Sequence, residues 1–169
     1  MLCDICGGEM VAGVATREAP FHYTMSGLRN VFLVGIKYQE CPACQEKVPE
    51  IPKMGELHKV IAKVLIKKEE PLRGEEVRYL RKNAGLNGAE FAALIGVSAE
   101  HLSRAENNNA GLSPAVDKMV RIYAEDSIGG GHFREVLREK ARKMKRQKGT
   151  DRKIFGLGGN RWEQLNLVA

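Results

Sequence analysis

The sequence predicts an α+β chain in which a small, mainly β module precedes an all-α domain and a basic C-terminal extension. Three observations carry that expectation. All four cysteines fall in two Cys-x-x-Cys pairs inside the first 44 residues. Apolar residues alternate before residue 54 and follow helical spacing after it. A Gly96-Val97-Ser98 corner then separates two short amphipathic stretches.

In the first module, Val34, Ile36 and Tyr38 alternate with Gly35, Lys37 and Gln39, which predicts a half-buried strand with those three residues inward. Met10 to Thr16 is a weaker strand candidate. Gly13, Pro20 and Gly27 mark hairpins or loops between the two, and Pro49 and Pro52 mark the exit from the module. Leu57, Val60, Ile61, Val64 and Leu65 predict an amphipathic linker helix over 55–69, stopped by Pro71. The implied domains are residues 1–54, 55–70 (the linker helix), 71–127 (the helical domain) and 128–169 (the extension).

The cysteines are Cys3 with Cys6 and Cys41 with Cys44. Two thiolates separated by two residues sit on one tight turn, and two such knuckles complete a tetrahedral S4 site that suits Zn2+. Gly7 and Gly8 supply backbone freedom to the first turn, and Pro42 stiffens the second. A thioredoxin-like redox pair or two disulfides are the alternatives. A redox motif is expected once rather than twice, so the expectation is structural zinc bound by Cys3, Cys6, Cys41 and Cys44. Four thiolates leave no open position for water, which argues against catalytic zinc.

In the helical domain, Asn87 is a good N-cap, Phe91, Ala92, Leu94 and Ile95 make an apolar face, and Gly96 permits a left-handed exit. Ser98 caps the next helix, where Leu102 and Ala105 point inward and Ala99, Glu100, His101, Ser103 and Arg104 face out. That is the layout of a recognition helix in a major groove. Val77, Leu80 and Ala84 line an earlier helix and leave Arg78, Arg81 and Lys82 outside. Ser113-Pro114 starts a later helix that packs Val116, Met119, Val120 and Tyr123. The alternative is a helical bundle with no nucleic-acid role.

The formal charge of +6 is unevenly distributed. Residues 1–60 carry six basic and seven acidic groups, residues 61–131 carry ten of each, and residues 132–153 carry ten basic and three acidic. The excess therefore sits in a segment of net +7 beyond Gly129-Gly130-Gly131, a flexible joint. It reads as a polyanion-binding arm or as a solvated tail, with a helix expected over 132–147. The remainder, IFGLGGNRWEQLNLVA, is expected to lack order of its own. Its GLGG run follows no expected strand and is no dinucleotide fingerprint. Histidines 22, 58, 101 and 132 are scattered singly and read as surface or packing residues. With no nucleophile–base set, no catalytic residues and no enzyme are expected. The start of the chain lacks a secretory pattern and no apolar run is long enough for a membrane span, so a cytoplasmic protein is expected.

The stretch from Arg78 to Asn108, above all GVSAEHLSRAEN, resembles the Cro/repressor-type (Xre-like) helix-turn-helix family. Together with the two cysteine pairs, residues 1–126 resemble the MqsA/YgiT family of antitoxins. The resemblance implies a homodimer that represses its own operon at a palindromic operator in double-stranded DNA and masks a small toxin protein with its zinc module. Carried over by position, it implies that Glu100 and Arg104 approach bases, with Ser98, His101, Ser103 and Asn108 near bases or backbone; the helix layout adds Asn87 and Ala99 as DNA-contact candidates. The alternatives are a free-standing Xre-like zinc-containing regulator and a protein-interaction adaptor.

Overall fold

The computed structural model describes residues 1–131 and the backbone of residues 154–158 and 161–165. It is α+β, with small antiparallel sheets followed by five helices. Strands β1 (Val11–Val14), β4 (Lys37–Glu40) and β5 (Lys47–Glu50) form one sheet in the order β1-β4-β5. Gly13 lies opposite Tyr38 in the β1–β4 register, and a Cβ there would come within 2.7 Å of the tyrosine ring. Only glycine lets that ring cross the strand. Strand β5 runs through Pro49, which the sequence marks as a breaker. It lies on the sheet edge, where a missing N–H removes no ladder bond. Between β1 and β4, β2 (Phe21–His22) pairs with β3 (Phe32–Leu33), and the intervening loop carries a single 3-10 turn at Thr24–Ser26.

The alternating stretch is shorter than its pattern. Gly35 takes a φ of 75°, which breaks the extended run, so Val34 falls outside β4 and is exposed rather than inward. Isolated from the helices, the first module has very little core. Its own buried apolar cluster is Cys3, Met10 and Cys41.

The helices are α1 (Met54–Lys67), α2 (Gly74–Asn83), α3 (Gly88–Ile95), α4 (Ala99–Glu106) and α5 (Pro114–Gly129). Helix α1 matches the expected linker helix in extent but not in orientation. It buries Ala62 and Leu65, with Ile61 and Ile66 packed on the core, while Val60 and Val64 are exposed. Because α1 packs against both α2 and α5, its buried stripe centres on small Ala62 instead of the valines. Its C-terminal end is closed by Arg121, which Asp117 holds and which donates to the carbonyls of Ile66, Lys68 and Glu70.

Val77, Leu80, Phe91, Ile95, Leu102, Val120 and Tyr123 form the helical core. Leu28, from the loop between β2 and β3, is part of that same cluster. Arg81 is not on the outer face as expected. It turns inward to Glu106, which is buried, and Lys82 alone of the expected outer trio remains fully exposed.

The expected helix at 132–147 and the basic segment 132–153 lie outside the described residues. Residues 154–165, expected to lack order, instead contain strands β6 (Ile154–Gly158) and β7 (Arg161–Leu165) in antiparallel register. The GLGG run is thus largely inside a strand.

Gly74, at the start of α2, sits against the end of α4. A Cβ there would drive into the Ala105 carbonyl oxygen and the Glu106 backbone. Gly74→Ala is expected to cost about 1–3 kcal/mol, the usual cost of overpacking, and to lower the Tm measured by circular dichroism.

Candidate metal centre and nucleic-acid interface

The two cysteine pairs sit on equivalent turns. The Gly7 amide donates to the Cys3 carbonyl, and the Gln45 amide donates to the Cys41 carbonyl, each at 2.8 Å. Both residues are left-handed, with φ of 71° at Gly7 and 63° at Gln45. Each turn aims its two sulfurs at the other. Cys3 Sγ lies 3.6 Å from Cys44 Sγ, Cys6 Sγ lies 3.4 Å from Cys41 Sγ, and all four lie within 4.8 Å of one another. A tetrahedral centre with metal–sulfur bonds near 2.3 Å requires sulfurs about 3.8 Å apart, so the cluster has the dimensions of such a site. Gly8 closes over it; a Cβ there would lie 3.4 Å from Cys41 Sγ.

Thiols this close cannot all ionise unaided. The Cys44 amide, helped by the Cys6 thiol, lowers Cys41 to about 7. Cys44 receives the Glu46 amide, yet burial and the other three thiols push it up to about 12. A cation at the centre removes that conflict by neutralising the crowded thiolates. The cluster is consistent with a structural metal ion, and no histidine or carboxylate joins it among the described residues.

The second site is built from local capping. Asn87 accepts from the Glu90 amide and starts α3; Gly96, at φ 75°, ends it. Ser98 accepts from the His101 amide and starts α4. Val97 is half-buried in the corner, against the core. Leu102 and Ala105 anchor α4 inward, while Ala99, Glu100, Ser103 and Arg104 are exposed and His101 is half-buried. Arg104 pairs with no carboxylate among the described residues. Asn108 is turned elsewhere: at φ 60°, its Oδ1 accepts from the Gly74 amide at the start of α2.

The angle of α4 is set by a group that sequence reasoning missed. Arg81 Nε and Nη2 donate to the two Glu106 carboxylate oxygens at 2.6 and 2.8 Å, and Arg78 Nε reaches the same carboxylate at 3.4 Å. Arg78 also donates to Asn107 Oδ1 at 2.6 Å. The pair raises the Arg81 pKa further, through its bonds to Glu106. Partners 25 residues apart leave no local signal in the sequence.

Among known protein families, residues 77–122 match HTH_3, a helix-turn-helix family. No curated protein matches the chain. The match runs from α2 into α5 and includes the whole α3–Gly96–α4 unit. It supports a DNA-binding transcription regulator, a class that is generally not enzymatic. No described helix is long and apolar enough to cross a membrane.

Two outcomes follow from this geometry. The purified chain is expected to hold one divalent ion, measured by elemental analysis, and to release it in Cys41→Ser and on acidification, since protons compete for the thiolates. Arg81→Ala leaves a buried carboxylate short of its main partner and is expected to destabilise the helical domain by about 3 kcal/mol in denaturant titrations.

Proposed function

We propose that the chain is a sequence-specific, DNA-binding transcriptional repressor and the antitoxin of a toxin–antitoxin pair, acting as a cytoplasmic homodimer. The observation that carries the DNA reading is the exposed face of α4, held at a fixed angle within a helix-turn-helix match. On this reading α4 enters the major groove, and Arg104 takes guanine O6 and N7 in a bidentate pair. Glu100 accepts from a cytosine N4 amine, with Ser98, Ala99, His101 and Ser103 beside it. Asn87 and Asn108 approach the backbone while keeping their capping bonds. The functional units are residues 1–54, 55–70, 71–127 and 128–169.

The antitoxin part rests on the cysteine module standing ahead of the helix-turn-helix. Loaded with Zn2+ by Cys3, Cys6, Cys41 and Cys44, this module carries four thiolate charges against two on the metal, on a chain segment already at −1. It is unsuited to phosphates and suited to a protein, and it presents Leu2, Ile5, Val11, Phe32 and Val34 as exposed apolar contacts. A free-standing Xre-like regulator is the second reading, favoured by Leu28, which makes the module a brace for the helices.

The phosphate grip is assigned to residues 132–153. Helices α1–α5 and their loops are neutral overall, and Arg78 and Arg81 are tied to Glu106, so the helix-turn-helix brings few free cations. Each phosphate neutralised steepens the fall of affinity with salt.

Three measurements test this. Arg104→Ala is expected to relax base preference at one position per half-site, at a cost of about 1–3 kcal/mol in operator binding. Truncation after Gly129 is expected to flatten the salt dependence of that binding; an unchanged slope returns the segment to a solvated tail. Co-purification with the product of a neighbouring small reading frame is expected for the antitoxin. No complex and no rescue from toxicity would leave the free-standing regulator.

A further inference from the structure

The loop between β2 and β3 reaches out of the cysteine module and lodges in the helical domain. Leu28 is 2% exposed within the helical core. Tyr23, also 2% exposed, contacts His58 Nε2 through its hydroxyl at 3.1 Å. His58 Nδ1 lies 2.8 Å from the Tyr79 hydroxyl, which donates its proton to the His58 carbonyl at 3.2 Å. The His58 and Tyr79 rings stack at 5.7 Å, and Arg29 pairs with Glu75 of α2 at 2.9 Å. One loop thus touches α1 and α2 through an apolar plug, a three-ring relay and an ion pair.

The ends of this loop depend on the cysteine cluster. Phe21, just before the loop, packs its ring against Tyr38 of β4 at 5.9 Å, and β4 leads directly into Cys41. Strand β1, the partner of β4, follows Cys6. With only Cys3, Met10 and Cys41 in its own buried cluster, the module lacks the apolar volume to hold β1 on β4 without the crosslink an ion provides.

We propose that the Tyr23–Val31 loop couples metal occupancy to the stability of the DNA-reading helices, so that loss of the ion loosens α1 and α2 and, through them, α4. This rests on the DNA-binding reading for its biological use and not for its physics. The link from α2 to α4 is the clamp of Arg78 and Arg81 on Glu106. Coupling of this kind is local unfolding shared between two sites, and it needs no second folded conformation.

The test is amide hydrogen exchange on the full chain, metal-loaded and after chelation, in the native sequence, in Tyr23→Phe and in Leu28→Ala. Duplex affinity is measured in parallel. Chelation is expected to cut protection in α1, α2 and α4 by about tenfold or more, as in sub-global opening. In Tyr23→Phe, which keeps the ring and loses one hydrogen bond, the metal-dependent change should shrink while metal content stays the same. Leu28→Ala should shrink it further. Helices that keep full protection after chelation, while residues 1–50 lose theirs, would overturn the proposal. So would an undiminished metal effect in both variants. Exchange coupling in a chain that binds no duplex would sustain the coupling and remove the DNA reading, so the two fail separately.

Discussion

Glu106 closes the last turn of α4 with its carboxylate buried, and Arg81 meets it through two hydrogen bonds from α2. A carboxylate withdrawn from water in this way is tolerated only when its bonds are complete, and that requirement fixes where α4 can lie. Gly74 packs its bare Cα face against the same turn, and Asn108 bonds back to the Gly74 amide. The end of α4 and the start of α2 are thereby locked by one ion pair, one close backbone approach and one cap. Everything exposed on α4, from Ala99 to Arg104, inherits its direction from that lock. The arrangement separates duties within the helix: Leu102, Ala105 and Glu106 anchor its inner face, and Ala99, Glu100, Ser103 and Arg104 are exposed on the outer one.

The cysteine cluster has a comparable position in the first module. The sheet β1-β4-β5 is only four residues deep in each strand, and its buried cluster includes two of the four cysteines. In this module a metal held by the four cysteines would stand in for a hydrophobic core. The consequence reaches past residue 54, because Leu28 and Tyr23 extend the module into the helices. A boundary drawn from composition separates two sequence patterns. The packing crosses that boundary.

What was legible in the sequence was whatever local chemistry decides. Asn87, Gly96, Ser98 and Ser113 cap helices where their residue types prescribe, and Leu102 and Ala105 face inward as their spacing requires. The four cysteines were legible because their spacing and count leave few uses. What was not legible depends on distant partners. Val60 and Val64 fit a helical stripe, but α1 meets two neighbours and turns a different stripe inward. Arg81 reads as an outer cation until Glu106 is placed beside it. Pro49 reads as a breaker until β5 becomes an edge strand. Glycines hid the pairing of β6 with β7, and a lone histidine at 58 gave no sign of the two tyrosines it joins.

Whether the exposed face of α4 reads base sequence is decided by selection of the metal-loaded full chain against a pool of random DNA duplexes. Base reading by α4 would enrich a palindrome whose half-sites are centred about one helical turn, roughly 10 base pairs, apart. Retention of duplexes by charge alone, with no enriched sequence after repeated rounds, would contradict it.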